Sequence, residues 1–154
     1  MRILGIDPGY GRIGYGVIDG SRGSWQHIAH GCIETDTKAD FVSRLVELKR
    51  DLLHIINTFK PDRAGIEELF FSKNVTTGIK VSEARGVILL TLHESGIPIV
   101  DVSPLQMKLA IVGYGRAEKA QLQEMIRIQL NLKNKPTPDD AADALGGALA
   151  GGVV

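Results

Sequence analysis

The sequence predicts an α/β domain: a mixed five-stranded sheet, three strands antiparallel and then parallel ones, with helices on both faces. Three observations predict it. Strand-like runs crowd the first 34 residues with only short polar breaks between them, which favours antiparallel hairpins. The hydrophobic period then changes from two to three-and-four. From residue 41 onward, helical and strand-like segments alternate.

Ile3 to Asp7 is apolar up to its last residue, Arg12 to Asp19 carries Tyr15, Val17 and Ile18, and Trp25 to Glu34 is a third, mixed run. Gly, Ser and Asp punctuate between them, as hairpins require. Phe41, Leu45, Leu48, Leu52, Ile55 and Phe59 then mark one face of an amphipathic helix, which Pro61 stops. Arg63 to Leu69 is a short strand with acids at its far end. Val75 to Glu94 is helical and apolar nearly all round, so it crosses the core or faces a second subunit; Leu89 is the residue to test there. Gly96 ends it, and Ile97 to Val102 is the last strand. Ser103-Pro104 opens a helix with Ser as N-cap and Pro at the first position. Ala117 to Leu130 turns Leu122, Met125, Ile126 and Leu130 inward. A loop from Lys133 to Pro138 leads into a final helix over roughly 139–150. With no repeat and no linker, residues 1–154 read as one domain.

Composition excludes several classes. Hydrophobic residues make up 44%, enough for a conventional core, and no apolar run approaches the roughly 20 residues of a membrane span. The N-terminus lacks the apolar region of a secretory signal. Cys32 is the only cysteine, which rules out an intrachain disulfide and a cysteine-based zinc site and fits a reducing cytoplasm. Lys plus Arg number 18 and Asp plus Glu 18, so the chain is not basic as a whole, unlike most nucleic-acid binders. Between Lys73 and Lys135 the balance tips positive, through Lys80, Arg85, Lys108, Arg116, Lys119, Arg127 and Lys133, which allows a local basic face.

Gly9-Tyr10-Gly11-Arg12-Ile13-Gly14 fits G-x-G-x-x-G after a strand. A dinucleotide-binding turn needs a helix next, whose N-terminus takes the pyrophosphate. Tyr15-Gly16-Val17-Ile18 is strand-like instead, and Asp7 would face the phosphates without a counter-charge. A glycine-rich hairpin with positions at positive φ is the plain alternative. The favoured reading is that the glycines let a metal and a phosphate-bearing ligand approach the backbone beside Asp7.

Four acids sit where acids are awkward. Asp7 ends an apolar strand, where a carboxylate needs a partner, a metal or the role of a turn cap. Glu67 and Glu68 close a second apolar strand; neighbouring strand residues point to opposite faces, so one of them enters a given site, and spacing alone leaves open which. Thr137, Asp139 and Asp140 resemble a capped helix start. Asp143 has no such excuse: it lies one turn from Asp140, where like charges repel by roughly 0.2–0.5 kcal/mol. A divalent cation between the two turns repulsion into attraction. Gathered together, these side chains form an all-oxygen site suited to Mg²⁺ or Mn²⁺. Two such ions about 3.5–4 Å apart suit phosphodiester hydrolysis that leaves 5′-phosphate and 3′-hydroxyl ends.

The sequence is similar to the bacterial RuvC family of crossover-junction endonucleases. The resemblance rests on Ile3-Leu4-Gly5-Ile6-Asp7-Pro8-Gly9, Gly14-Tyr15-Gly16, Ile66-Glu67-Glu68-Leu69-Phe70, Lys73-Asn74 and Glu83-Ala84-Arg85-Gly86. Lys108, Val112-Gly113, Ala117-Glu118-Lys119 and Asp140-Ala141-Ala142-Asp143-Ala144-Leu145 complete it, in family order from residue 3 to about 150. The resemblance implies a ribonuclease-H-like fold, a homodimer and paired, metal-dependent nicking of four-way (Holliday) DNA junctions in recombination and repair. It implies the junction-binding and branch-migration proteins RuvA and RuvB as partners. It selects Glu67 over Glu68, makes Asp7, Glu67, Asp140 and Asp143 the catalytic and metal-binding set, and leaves Asp139 as a helix-start acid. It makes Phe70 a wedge or stacking residue at the junction centre, where a solitary Phe is more often core. Lys108 and Lys119 match family lysines near the scissile phosphate, and Arg116 and Lys73 are expected on the DNA backbone, the bland alternative being solvated surface charge.

Three other readings compete. An actin-like sugar kinase or ATPase also opens with a strand, Asp-x-Gly and a hairpin, but it needs a second phosphate segment and an adenosine motif that 154 residues leave little room for. A non-catalytic domain using the acids as caps leaves Glu67 and Asp143 unexplained. A resolvase-like nuclease acting on RNA shares the same site.

Overall fold

β1 (Arg2–Asp7), β2 (Arg12–Ser21) and β3 (Ser24–Glu34) form an antiparallel meander. The computed structural model describes residues 1–69 and 74–154. β4 (Arg63–Glu67) runs parallel to β1 along its free edge, and β5 (Ile99–Val102) parallel to β4. The order β3-β2-β1-β4-β5 is the expected mixed sheet. β5 begins at Ile99, two residues later than its apolar run, because Pro98 has no N–H to give a ladder.

Helices cover both faces. α1 (Phe41–Phe59) and α2 (Val75–Glu94) pack Leu48, Leu52, Ile55, Ile88 and Leu92 on Leu4, Ile6, Ile13, Val17 and Ile66. α3 (Pro104–Val112), α4 (Lys119–Gln129) and α5 (Asp139–Gly151) close the other face around Ile3, Ile18, Met107, Ile126 and Leu145. Local chemistry sets the ends. The Asp40 side chain accepts from the Ser43 N–H at the start of α1, and Lys60 turns left-handed before Pro61. Ser103 and Gln106 form a reciprocal capping box on α3. The cap expected from Thr137 is not made. Pro138 takes that position with extended backbone, and no side chain caps the helix.

α2 resolves the puzzle of its all-round apolar surface. Ala84, Ile88, Thr91 and Leu92 are buried, while Val75, Ile79 and Leu90 face outward. Among the described residues no helix is long and apolar enough to cross a membrane.

α5 is the element that matters most for the site. Ten of its thirteen residues are buried. It lies on a row of three glycines that stand side by side in the sheet, Gly16 of β2, Gly5 of β1 and Gly65 of β4. A Cβ on Gly5 would overlap the Ala144 carbonyl, and one on Gly65 would overlap that of Gly147. Backbone against backbone is the closest that a helix and a sheet can approach, and only glycine permits it. Gly5→Ala is therefore expected to cost about 3 kcal/mol, because neither carbonyl nor strand can step aside. Urea unfolding at equilibrium measures it; a loss under about 1 kcal/mol would show that α5 shifts freely.

Candidate active site

The sheet register brings the first two acids together. Ile6 of β1 stands opposite Ile66 of β4, so Asp7 and Glu67, one residue on, leave neighbouring parallel strands at the same end, about 4.8 Å apart in the ladder direction. Glu68 lines a separate cavity of about 390 Å³ with Ser82, Arg85 and Asp101. Asp7 is also paired with Gly14, and a Cβ on Gly14 would overlap the Asp140 carbonyl. The first turn of α5 thus rests directly over the end of β1 and β2. Asp143 follows one turn later and meets Glu67 in a cavity of about 180 Å³, together with Lys108 and Lys119.

Electrostatics show how closely these groups are coupled. Burial, reinforced by Glu67, Asp143 and Asp140, pushes the Asp7 carboxyl up to about 8, so it carries a proton at neutral pH. Burial and the Asp143 charge raise Glu67, which Asp7 partly relieves by hydrogen bonding. Burial likewise raises Asp143, against the pull of Lys119. The Lys119 ammonium donates to Asp143 at 3.3 Å and lies 3.2 Å from Asp139. Its burial works against its charge, but these two carboxylates outweigh that and raise its proton affinity. Asp139 is 71% exposed against 25% for Asp143, which separates the surface acid from the one facing the cluster. Asp139 also accepts from Gln123.

Two features were not visible in the sequence. Arg12, read only as one of the letters of a glycine motif, pairs in register with Glu34 and reaches both its carboxylate at 3.3 Å and that of Asp140 at 3.8 Å. A cross-strand charge pair signals itself only once the register is known. The glycine motif has a role different from the expected one. Gly14 makes room for α5, and the space a Cβ on Gly11 would need holds the Arg44 guanidinium. Neither Gly9, Gly11 nor Gly14 has a positive φ. At Gly9, Gly11 and Gly14 the space a Cβ would need is already taken by protein atoms.

Of the expected DNA contacts, Lys108 and Lys119 line the cavity beside Glu67 and Asp143. Arg116 is exposed in the loop before α4 and does not line it. Phe70 and Lys73 lie outside the described residues.

Among the described residues no three acidic, His or Cys groups close into a ready-made cage. Asp143 is held by Lys119, and Asp140 by Arg12. The donor chemistry nevertheless fits a hard divalent cation. Four carboxylates from three elements share one sheet end, and the most buried of them keeps a proton because of its burial first and its acidic neighbours second.

A sheet of this order, with acids from its first and fourth strands facing a last helix, places the protein in the ribonuclease-H-like class of metal-dependent nucleases. Sequence comparison narrows the class. The family model described as crossover junction endodeoxyribonuclease RuvC matches residues 3–151, nearly the whole chain. The enzyme of that name from Petrotoga mobilis is 50% identical over 152 residues, covering 99% of this chain and 93% of that one. The chain belongs to the RuvC family of crossover junction endodeoxyribonucleases. The structure of Thermus thermophilus RuvC in complex with a Holliday junction superposes with a TM-score of 0.92 at 31% identity, covering 97% of this chain and 92% of that one. The yeast mitochondrial Holliday junction resolvase Ydc2 shares the fold at a TM-score of 0.72 and 13% identity, over 96% of this chain and 76% of that one. With the family model matching residues 3–151, the sugar-kinase reading is not favoured.

Proposed function

We propose that this protein resolves four-way DNA junctions by paired nicks, leaving 5′-phosphate and 3′-hydroxyl ends. The observation that carries the reading is the meeting of Glu67 and Asp143 with Lys108 and Lys119 in one cavity, beside an Asp7 that holds a proton. Asp7, Glu67, Asp140 and Asp143 are the catalytic set and would hold the metal. Bound there, Mg²⁺, with Mn²⁺ as substitute and two ions per site, supplies Lewis-acid stabilisation of the attacking and leaving oxygens. The chain's own groups prepare for this. Without metal, Asp7 holds a proton while Lys119 pairs with Asp143 and Arg12 lies near Asp140; holding a cation would require Asp7 to release that proton to solvent and these two side chains to be displaced. Lys119 and Lys108, which line the same cavity, would face the scissile phosphate, where their ammonium groups would offset the charge of the non-bridging oxygens. Arg116 supports the DNA backbone from its exposed loop, as does Lys73, and Phe70 wedges or stacks at the junction centre. The protein works in the bacterial cytoplasm beside RuvA and RuvB, as its family resemblance implies. A nicking assay with Mg²⁺ on junction, duplex and single-stranded substrates, DNA and RNA, tests the reading. Preference for the DNA junction is expected, and equal cutting of duplex DNA or of RNA would overturn it.

The outward row of Val75, Ile79 and Leu90 on α2 supports a homodimer, which gives one site for each of two nicked strands. Leu89 packs on the core, so Leu90 is the residue to change. Leu90→Lys is expected to yield a folded monomer in analytical sedimentation that still binds a junction weakly but no longer makes paired cuts. A folded dimer would move the interface elsewhere.

A further inference from the structure

The cations placed so far at the carboxylate cluster, apart from Arg12, come from the α3–α5 side of the sheet. The α1–α2 side carries its own pair, which the family motifs do not mark. Tyr10, in the turn after β1, meets Phe41 of α1 edge to face, with centroids 5.9 Å apart at 71°. The Arg44 guanidinium lies 5.1 Å from the Tyr10 centroid. The Lys80 ammonium of α2 lies 5.6 Å from the Tyr10 centroid and 5.7 Å from that of Phe41. Four side chains from three elements therefore converge on one patch.

The patch is braced from beneath. Arg44 Nε donates to Thr35 Oγ1 at 3.0 Å, and that hydroxyl donates to the Tyr10 carbonyl at 2.7 Å. Thr35 is buried, and its own N–H donates to the Gly11 carbonyl. The turn that follows Asp7 is thus fixed to α1 through a single threonine. Some cations of the molecule are neutralised by carboxylates, as Arg2, Arg50, Arg127 and Lys49 are. Among the described residues Arg44 and Lys80 pair with none. Their positive charge is held in place by ring faces, which hold a cation without neutralising it. Two fixed, uncompensated positive charges suit a polyanion.

We propose that Arg44 and Lys80, held over the rings of Tyr10 and Phe41, form a second phosphate-binding site that takes the DNA backbone on the α1–α2 side of the cleavage site. The proposal rests on the junction-nuclease reading and extends it. Tyr10 is three residues from Asp7, so their Cα atoms lie within about 11 Å, a span of roughly three phosphates along one strand. A strand drawn across the sheet end meets Lys108 and Lys119 on one side and this patch on the other, with the carboxylates between. Such contacts set position rather than base choice.

Junction binding titrated against salt in EDTA tests this, using a four-way DNA junction. Lys80→Gln is expected to weaken binding roughly three- to tenfold near 0.1 M salt and to lower the slope of log K against log salt by about 0.9, the signature of one lost phosphate contact. Tyr10→Leu is expected to produce part of the same change, and the double variant little more than Lys80→Gln alone, because the ring acts by holding the ammonium. Arg22→Gln, in the β2–β3 turn at the opposite end of the sheet, serves as the charge control and is expected to match wild type. Unchanged affinity and slope in Lys80→Gln, with melting temperature equal to wild type, would overturn the proposal. Failure of wild type itself to prefer the junction would instead sink the underlying nuclease reading, so the two failures are distinct.

Discussion

Asp7→Asn is expected to lower junction nicking on the order of 10⁴-fold while leaving junction affinity within about threefold of wild type. Asparagine keeps the shape of the side chain but offers one neutral oxygen where the site needs an anion. The same change is expected to stabilise the metal-free protein. The Asp7 carboxyl is raised from 3.8 to about 8 in the fold. Between those values the folded state binds a proton that the unfolded state does not, so stability falls as pH rises through that window. The favourable contribution is complete below the unfolded value and gone above about pH 8. Asn resembles the protonated form at every pH. At pH 8 without metal, Asp7→Asn is expected to exceed wild type by about 2 kcal/mol, or roughly 4–8 °C in melting temperature, and near pH 4 the two should coincide. Normal nicking by the variant would remove Asp7 from the site. A wild type that melts higher than the variant at pH 8 would show that its neighbours leave Asp7 ionised.

Hydrophobic periodicity explains which parts of this molecule are legible in the order of its residues alone. The helices α1 and α2 are, since burial of one face imposes a three-and-four spacing on α1, and Gly96 follows directly on the cap of α2. The acids at the ends of β1 and β4 and on α5 stand out because ionised groups beside apolar runs need a reason. Their convergence is not legible, because it depends on the alignment of Gly16, Gly5 and Gly65 across three strands, and alignment is a property of pairing rather than of any one segment. For the same reason Gly14 reads as a ligand contact when it is a helix contact. Arg12 and the Tyr10–Arg44–Lys80 patch join residues far apart in the chain through side chains, which no local spacing encodes. The family resemblance, by contrast, picks Glu67 out of Glu67 and Glu68, a choice that strand alternation leaves open and that the register places beside Asp7.

Mg²⁺ is expected to stabilise the protein strongly at pH 8 and hardly at all at pH 5. A ligand that binds only the folded state at about 100 times its dissociation constant adds about 2.7 kcal/mol, which for a chain of this size is a rise of roughly 5–11 °C. Binding requires ionised carboxylates. Asp7 loses its proton only near pH 8, and burial has moved Glu67 and Asp143 in the same direction. Each pH unit below 8 therefore weakens apparent affinity by about tenfold for every proton the cation must displace. The same carboxylates that destabilise the empty site as pH rises become the source of its affinity once a cation is present. Metal-free protein should lose stability from pH 5 to pH 8, and protein in excess Mg²⁺ should lose much less or gain. Thermal melts at the two pH values, with Mg²⁺ and after EDTA, read all four states. Equal shifts at pH 5 and pH 8 would mean that the cation binds groups other than Asp7, and no shift at pH 8 would mean that these four side chains do not form its site.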